Sequence, residues 1–245
     1  AEYEKLAHAL SAPGACALFG LPGSGRAMVY AALAKETGRF LCIVTPGEAE
    51  ATRFAGDLNA LGIPTAVFPA RDYVLRHIEG TAREYEYRRL SVLGDIVGGR
   101  LQAVCVPDEG LTQYTTPRAE FCNNTRTLHP GDTVPRTELT ALLYNAGYAR
   151  RAQVDGPGQF SIRGDIVDLY APDMKLPVRM EFWGDEIDTM HTFDLATQRR
   201  EDPIEKIYVS PAREVLFGSP AEAAELLRAF IKKFRSKKRT ALEVC

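Results

Sequence analysis

The chain has no apolar run approaching the length of a membrane span, and its first residues lack the basic, apolar, small-residue order of a signal peptide. Both absences point to a cytoplasmic protein. An excess of one charge is missing too: a net charge of -2 and a pI near 6.2 give no overall basic field of the kind a dedicated nucleic-acid binder carries. Any contact with phosphates would have to come from a local patch. The cysteines (Cys16, Cys42, Cys105, Cys122, Cys245) are widely spaced and three lie in apolar runs, so the expectation is buried, reduced thiols rather than disulfides or a metal site. His8, His77, His129 and His191 form no ligand spacing. No Ser-His-Asp, Cys-His or paired-carboxylate arrangement stands out as catalytic. The sequence starts without Met and stops in the run Ala241 to Cys245 with no closing element, which reads as a piece of something longer.

What is present begins with 245 residues of ordinary globular composition, 45% hydrophobic and 25% charged, enough for one or two domains. Near its start, Gly20-Leu21-Pro22-Gly23-Ser24-Gly25-Arg26-Ala27 has the outline of a phosphate-binding loop with its two chemical residues replaced. In a working loop of the form G-x-x-x-x-G-K-[ST], backbone N–H groups wrap the phosphates, the Lys reaches the outer phosphates and the hydroxyl holds Mg²⁺. Here the glycine frame stands at Gly20 and Gly25, but Arg26 replaces the Lys and Ala27 the hydroxyl residue. A planar guanidinium does not substitute for a compact ammonium at such a site, and a methyl group binds no metal. The expectation is a nucleotide-binding fold without its nucleotide and with no cofactor.

Around this loop the pattern alternates. Ala15 to Phe19 is an apolar run read as a strand, Ala27 to Lys35 a helix stopped at Gly38, and Phe40 to Thr45 a strand covered on both faces. A helix over Glu48 to Leu61, a strand over Thr65 to Phe68, a helix over Gly80 to Val97 and a strand over Leu101 to Val106 follow. This order predicts a RecA-like α/β domain over residues 1–118, a parallel sheet with helices on both faces and a degenerate nucleotide site. Asp108-Glu109 after the last strand mimics a metal-binding acidic pair, but Pro107 intervenes and Asp108 fits a helix cap.

From about Arg118 the pattern changes. A strand over Phe121 to Leu128, a helix over Thr137 to Ala146, and strand-like runs at Tyr148 to Val154, Gln159 to Tyr170, Val178 to Trp183 and Glu186 to Phe193 predict a smaller α+β domain with an antiparallel sheet over residues 119–208. Residues 209–245 would begin a return segment, with a helix over Ala221 to Phe234 whose apolar face holds Leu226, Leu227, Phe230, Ile231 and Phe234. In Val178 to Trp183, alternation puts Val178, Met180 and Phe182 on a core face and Arg179, Glu181 and Trp183 on the other. Arg163 falls opposite Phe160 and Ile162 in the same way. If the strands are neighbours, Arg163, Arg179 and Trp183 form an exposed patch of residue types that dominate binding hot spots. A surface Arg–Glu pair, with Trp183 packed under a neighbouring domain, fits the pattern equally. The basic run Lys232 to Arg239 is read as the solvated face of a helix, with phosphate contact as the other reading.

The stretch from Gly158 through Arg163-Gly164-Asp165 to Pro172, followed by Pro177-Val178-Arg179-Met180-Glu181-Phe182-Trp183 and by Phe193-Asp194, resembles the module shared by the excision-repair protein UvrB and the bacterial transcription-repair coupling factor, Mfd. The resemblance extends over nearly the whole chain. Loss of the loop Lys, and the direct run from Phe68-Pro69-Ala70-Arg71-Asp72 toward Gly80 without an aromatic-rich hairpin, favour the N-terminal UvrB-homology region of the coupling factor over UvrB itself. The resemblance implies a partner site for UvrA at Arg163, Arg179 and Glu181, with Trp183 where relatives often carry Phe, and with Ser161 where UvrB has a further Arg. It also implies that the complete protein, through domains outside this chain, binds RNA polymerase and translocates on duplex DNA with ATP. An active ATPase half as in UvrB or a helicase, and a DNA-binding domain acting through the basic run, remain as alternatives; ATP binding tests the first and a salt-dependent DNA titration the second.

Overall fold

The computed structural model describes residues 2–10, 12–71, 81–216 and 220–232. The chain divides into two compact units, Ala1–Arg118 with Pro172–Lys175, and Ala119–Ala171 with Leu176–Cys245.

The first unit contains α1 (Glu2–Ala9), α2 (Gly23–Thr37), β1 (Leu41–Thr45), α3 (Glu48–Ala60), β2 (Thr65–Val67), α4 (Thr81–Val97), β3 (Ala103–Pro107) and α5 (Asp108–Leu111). Among the described residues its strands form a parallel sheet in the order β1-β3-β2. The central strand β3 is buried throughout, and its alternation divides the core in two. Ala103 and Cys105 pack with Ala27, Ala31, Phe54 and Leu58 of α2 and α3, whereas Val104 and Val106 pack with Phe68 and with Val92, Leu93 and Ile96 of α4. Helices therefore cover both faces of β3. Glycine ends two of the helical segments as expected: Gly38 at φ 62° returns its N–H to the Ala34 carbonyl, and Gly62 stands at φ 78° after α3.

Several expectations are corrected here. Residues 14–19 form no strand, and Phe19 is 90% exposed. A five-residue apolar run becomes a strand only when an edge pairs with it, and β1 pairs with β3 alone among the described residues. Nor is β1 covered on both faces: Leu41 and Ile43 pack against the α2–α3 cluster, whereas Cys42 and Val44 point outward and Val44 is half exposed. The thiols follow suit, since Cys105 is buried but Cys16, Cys42 and Cys122 are exposed. Asp108 is the first residue of α5, one past the cap position at Pro107, and its carboxylate accepts the N–H of Glu109 at 2.8 Å.

In the second unit, α6 (Arg118–Asn123) occupies most of the stretch expected as a strand, leaving only β4 (Arg126–Leu128). Then come α7 (Arg136–Asn145), β5 (Ala149–Arg150), β6 (Gln159–Arg163), β7 (Ile166–Tyr170), β8 (Val178–Trp183), β9 (Glu186–Phe193), β10 (Arg200–Pro203), β11 (Ile207–Val209) and α8 (Pro220–Ile231). The sheet runs β10-β9-β8-β7-β6-β5, antiparallel except for the parallel β5–β6 pair, and β11 leaves it to pair with β4. One face is core: Phe160, Val167, Leu169, Val178, Met180, Phe182, Ile187 and Met190 are buried, and Tyr144 of α7 meets Phe160 edge-on at 5.4 Å. The run Gln159 to Tyr170 is two strands, broken by Gly164 at φ 61°. On α8, Leu226, Leu227 and Phe230 are exposed, and the expected position Phe234 lies outside the described residues, as do the basic run beyond Lys232, the segment 72–80 and Cys245. No helix among the described residues is long and apolar enough to cross a membrane.

Candidate partner-binding site

The face of the six-stranded sheet opposite the core carries the expected residues. Ser161, Asp168, Arg179 and His191 are successive cross-strand partners on β6, β7, β8 and β9, and the adjacent row is Arg163, Ile166, Glu181 and Thr189. The focus of the face is Asp168, a carboxylate with no exposed surface. Arg179 donates to it twice, from Nε to Oδ1 at 2.7 Å and from Nη2 to Oδ2 at 3.0 Å. Arg163 donates from Nη2 to the same Oδ2 at 2.6 Å, and the Ser161 hydroxyl stands 3.5 Å from it. A buried carboxylate is costly unless paired, and two guanidinium groups with a hydroxyl satisfy this one.

The two arginines differ in what they leave open. Arg179 lies over the Phe193 ring, 4.6 Å from its centroid, and donates to the Gln198 carbonyl at 3.2 Å and the Gln198 Oε1 at 3.3 Å. Only 13% of its side chain is exposed. Its hydrogen bond to Asp168 favours the charged form, so its pKa is raised above the ordinary Arg value. The expectation of an exposed Arg179 is therefore corrected: the alternation holds, but the side chain folds onto the sheet because a buried carboxylate lies beside it. Arg163 has 46% of its side chain exposed and commits one N–H group to Asp168. Glu181 pairs with Arg200 and accepts from Thr189 Oγ1 at 3.4 Å. Trp183, at the end of β8, is 83% exposed. Arg136 braces the neighbouring turn by donating to the Gly164 carbonyl at 2.8 Å and to Asp165.

Asp168, Gln198, Phe193 and Arg200 were not named as partner-site residues from sequence, although Phe193 stands in the motif that carries the resemblance. Asp168 had a signal, a lone carboxylate in the apolar run Ile166 to Tyr170. Gln198 had none, because its role depends on the loop between β9 and β10, where Asp194 accepts from the Thr197 N–H and hydroxyl and Gln198 itself takes φ 59°.

The glycine loop offers less. Helix α2 already begins at Gly23, and the Arg26 N–H is bonded to the Pro22 carbonyl at 3.0 Å, so it is not free to wrap a phosphate. The Arg26 guanidinium lies 3.5 Å from Glu50, and Ala27 is buried against α3. A cavity of about 240 Å³ beside the loop is lined by Leu18, Phe19, Gly20, Leu21, Arg26, Val29 and Tyr30.

Residues 127–215, which contain the whole Asp168 cluster together with Glu181 and Trp183, match the family model described as the UvrB interaction domain. The chain is also similar to the transcription-repair-coupling factor of Bacillus subtilis (strain 168), 28% identical over 229 residues, covering 90% of this chain and 20% of the relative. The like-named proteins of Haemophilus influenzae and Staphylococcus aureus (strain MRSA252) are 28% and 27% identical over 85% and 80% of the chain, and 18% and 17% of their own lengths. Over most of its length the chain is thus similar to transcription-repair-coupling factors, and its residues 127–215 match the UvrB interaction domain. The module spans about a fifth of the length of the curated relatives it matches. Its UvrB interaction domain runs from β4 through β11, so every residue singled out on the polar face of the sheet falls inside it.

Proposed function

We propose that this module recruits UvrA through the polar face of the second unit, with Arg163, Arg179, Glu181 and Trp183 as the recognition residues. The reading rests on one observation above all: the segment matching the UvrB interaction domain contains a preformed cationic cluster, and the strand that carries Arg179 ends in the exposed Trp183. Arg and Trp are the residue types that dominate interface energetics, and a braced Arg loses little freedom on binding.

Around that site the rest of the reading is coarser. Residues 1–118 are taken as a RecA-like domain with a degenerate nucleotide site, residues 119–208 as the UvrA-binding domain and residues 209–245 as the start of a return segment. The parallel order β1-β3-β2 with helices on both faces supports the first of these. The module itself takes no cofactor and performs no catalysis. The full-length protein would act in the cytoplasm as an ATP-driven translocase on duplex DNA, contacting stalled RNA polymerase and bringing in excision repair; those activities belong to its other domains. The deciding experiment is a calorimetric titration of the purified chain with UvrA. Saturable one-to-one binding is expected, and no heat at concentrations up to about 50 μM, an affinity below any useful recruitment, would overturn the reading.

A further inference from the structure

We infer that Asp168 is a positioning residue for this interface: it holds two like-charged guanidinium groups side by side and thereby sets which N–H groups of Arg163 face the partner. The inference rests on the UvrA-recruiting reading above.

Both arginines donate to the same oxygen, Oδ2 of Asp168, Arg163 at 2.6 Å and Arg179 at 3.0 Å. Two cations brought that close repel unless an anion lies between them. Asp168 supplies the anion from a position with no solvent exposure, where water does not screen it. The cluster of three carries one net positive charge, and its parts are unequal in freedom. Arg179 is fixed on four sides, by Asp168, the Phe193 ring, and the carbonyl and side-chain oxygen of Gln198. Arg163 is tethered through Nη2 only, with nearly half its side chain in solvent. A guanidinium held at one corner is confined in position and keeps its remaining N–H groups open, and such a planar fork receives a carboxylate in a two-point contact. The partner group that fits is therefore an acidic side chain of UvrA, meeting a donor whose position was set before binding.

In this arrangement Asp168 touches no partner and still controls affinity. An amide at 168 has the size of the carboxylate but no charge, and its NH₂ would face an Arg donor. The two guanidinium groups would then separate and Arg163 would lose its fixed position.

The test is a double-mutant cycle in the full chain, measuring UvrA affinity and the melting curve for wild type, Asp168→Asn, Arg163→Ala and the double variant. Asp168→Asn and Arg163→Ala are each expected to weaken binding by about tenfold or more, and the double variant to fall within about threefold of the weaker single one, because Asp168 acts through Arg163. A purely structural role for Asp168 would lower the melting temperature but leave the two losses multiplicative. That multiplicative result would overturn the inference, as would Asp168→Asn binding like wild type. Gln198→Gly covers the case in which Asp168→Asn does not fold. It removes the Oε1 brace on Arg179 from an exposed loop whose φ suits glycine, and it is expected to weaken binding by about threefold with an unchanged melting curve; unchanged binding there overturns the inference. Failure of wild type to bind UvrA strikes the functional reading instead, whereas wild-type binding lost in Arg163→Ala and kept in Asp168→Asn strikes only the positioning role.

Discussion

The guanidinium of Arg179 is enclosed between the Phe193 ring, 4.6 Å below it, and the Asp168 carboxylate, 2.7 Å from its Nε. Strand alternation alone would make Arg179→Ala a harmless surface change, but this enclosure makes it a structural one. Truncation leaves Asp168 buried with Arg163 as its remaining cation. Breaking a buried ion pair from one side costs on the order of 3–5 kcal/mol, and the second arginine should hold the loss toward the lower end of that range. Urea unfolding should show it as a lower midpoint with unchanged slope. A midpoint equal to wild type would mean that Asp168 is already satisfied without Arg179.

At the glycine loop the expected result is that Mg-ATP produces no saturable heat when titrated into the chain. Arg26 lies beside Glu50, and its N–H is already used within α2. Restoring the missing hydroxyl would not help, because position 27 is 1% exposed and packs against α3. Ala27→Thr should instead destabilise the first unit by about 1–3 kcal/mol, through overpacking and a buried hydroxyl. Micromolar ATP affinity in wild type would sink the degenerate-site reading.

What could be read in the sequence divides along a physical line. The strand β8 was legible to the residue because strict apolar–polar alternation forces one face into a core, and β9 because the Gly184-Asp185 turn marks its start, although its buried residues Ile187, Met190 and Phe193 are three apart. Helices α2 and α3 were legible from their composition and closing glycines. The run at residues 15–19 was not, since an apolar pentapeptide has no conformation of its own until an edge receives it. The α6 turn was missed because six residues are too few to show a helical period. At the site, sequence placed Arg163, Arg179, Glu181 and Trp183 on one face, but it did not distinguish the enclosed arginine from the open one. That difference is made by Asp168 and by the Gln198 loop, and both contacts are tertiary.

Cys105 gives a pH test of the first unit. Burial, with Cys42 nearby as a lesser cause, pushes its thiol up to about 11 from an ordinary value near 9. The folded state thus holds a proton that the unfolded state releases between those values. Stability from this group is fully present below about pH 9 and is lost as pH rises toward 11, by up to about 1.4 kcal/mol per pH unit. Cys105→Ala should flatten that part of the stability profile. Alkylation at pH 8 should label Cys16, Cys42 and Cys122 quickly and Cys105 only after denaturation. Rapid labelling of Cys105 in the native chain would contradict its burial.

Trp183 is the only Trp of the chain and is 83% exposed, so it serves as an optical probe placed at the proposed contact. Free, the ring should emit as a solvated indole and be quenched readily by acrylamide. An exposed ring of this size beside a hairpin turn contributes little to folding, so Trp183→Ala should melt within about 2 °C of wild type, consistent with a surface change of under about 0.5 kcal/mol. Binding should respond differently. If UvrA covers the ring, its emission should shift to the blue and quenching should fall in proportion to complex formed, and Trp183→Ala should weaken binding by about 2–4 kcal/mol, roughly 30-fold or more. Trp183→Phe, which keeps an apolar ring, should recover most of that loss. The emission titration separates two outcomes that affinity alone would merge. A complex that forms with no change in the indole spectrum places the ring outside the contact, and the interface would then have to lie along the Arg163 and Glu181 row without the hairpin end.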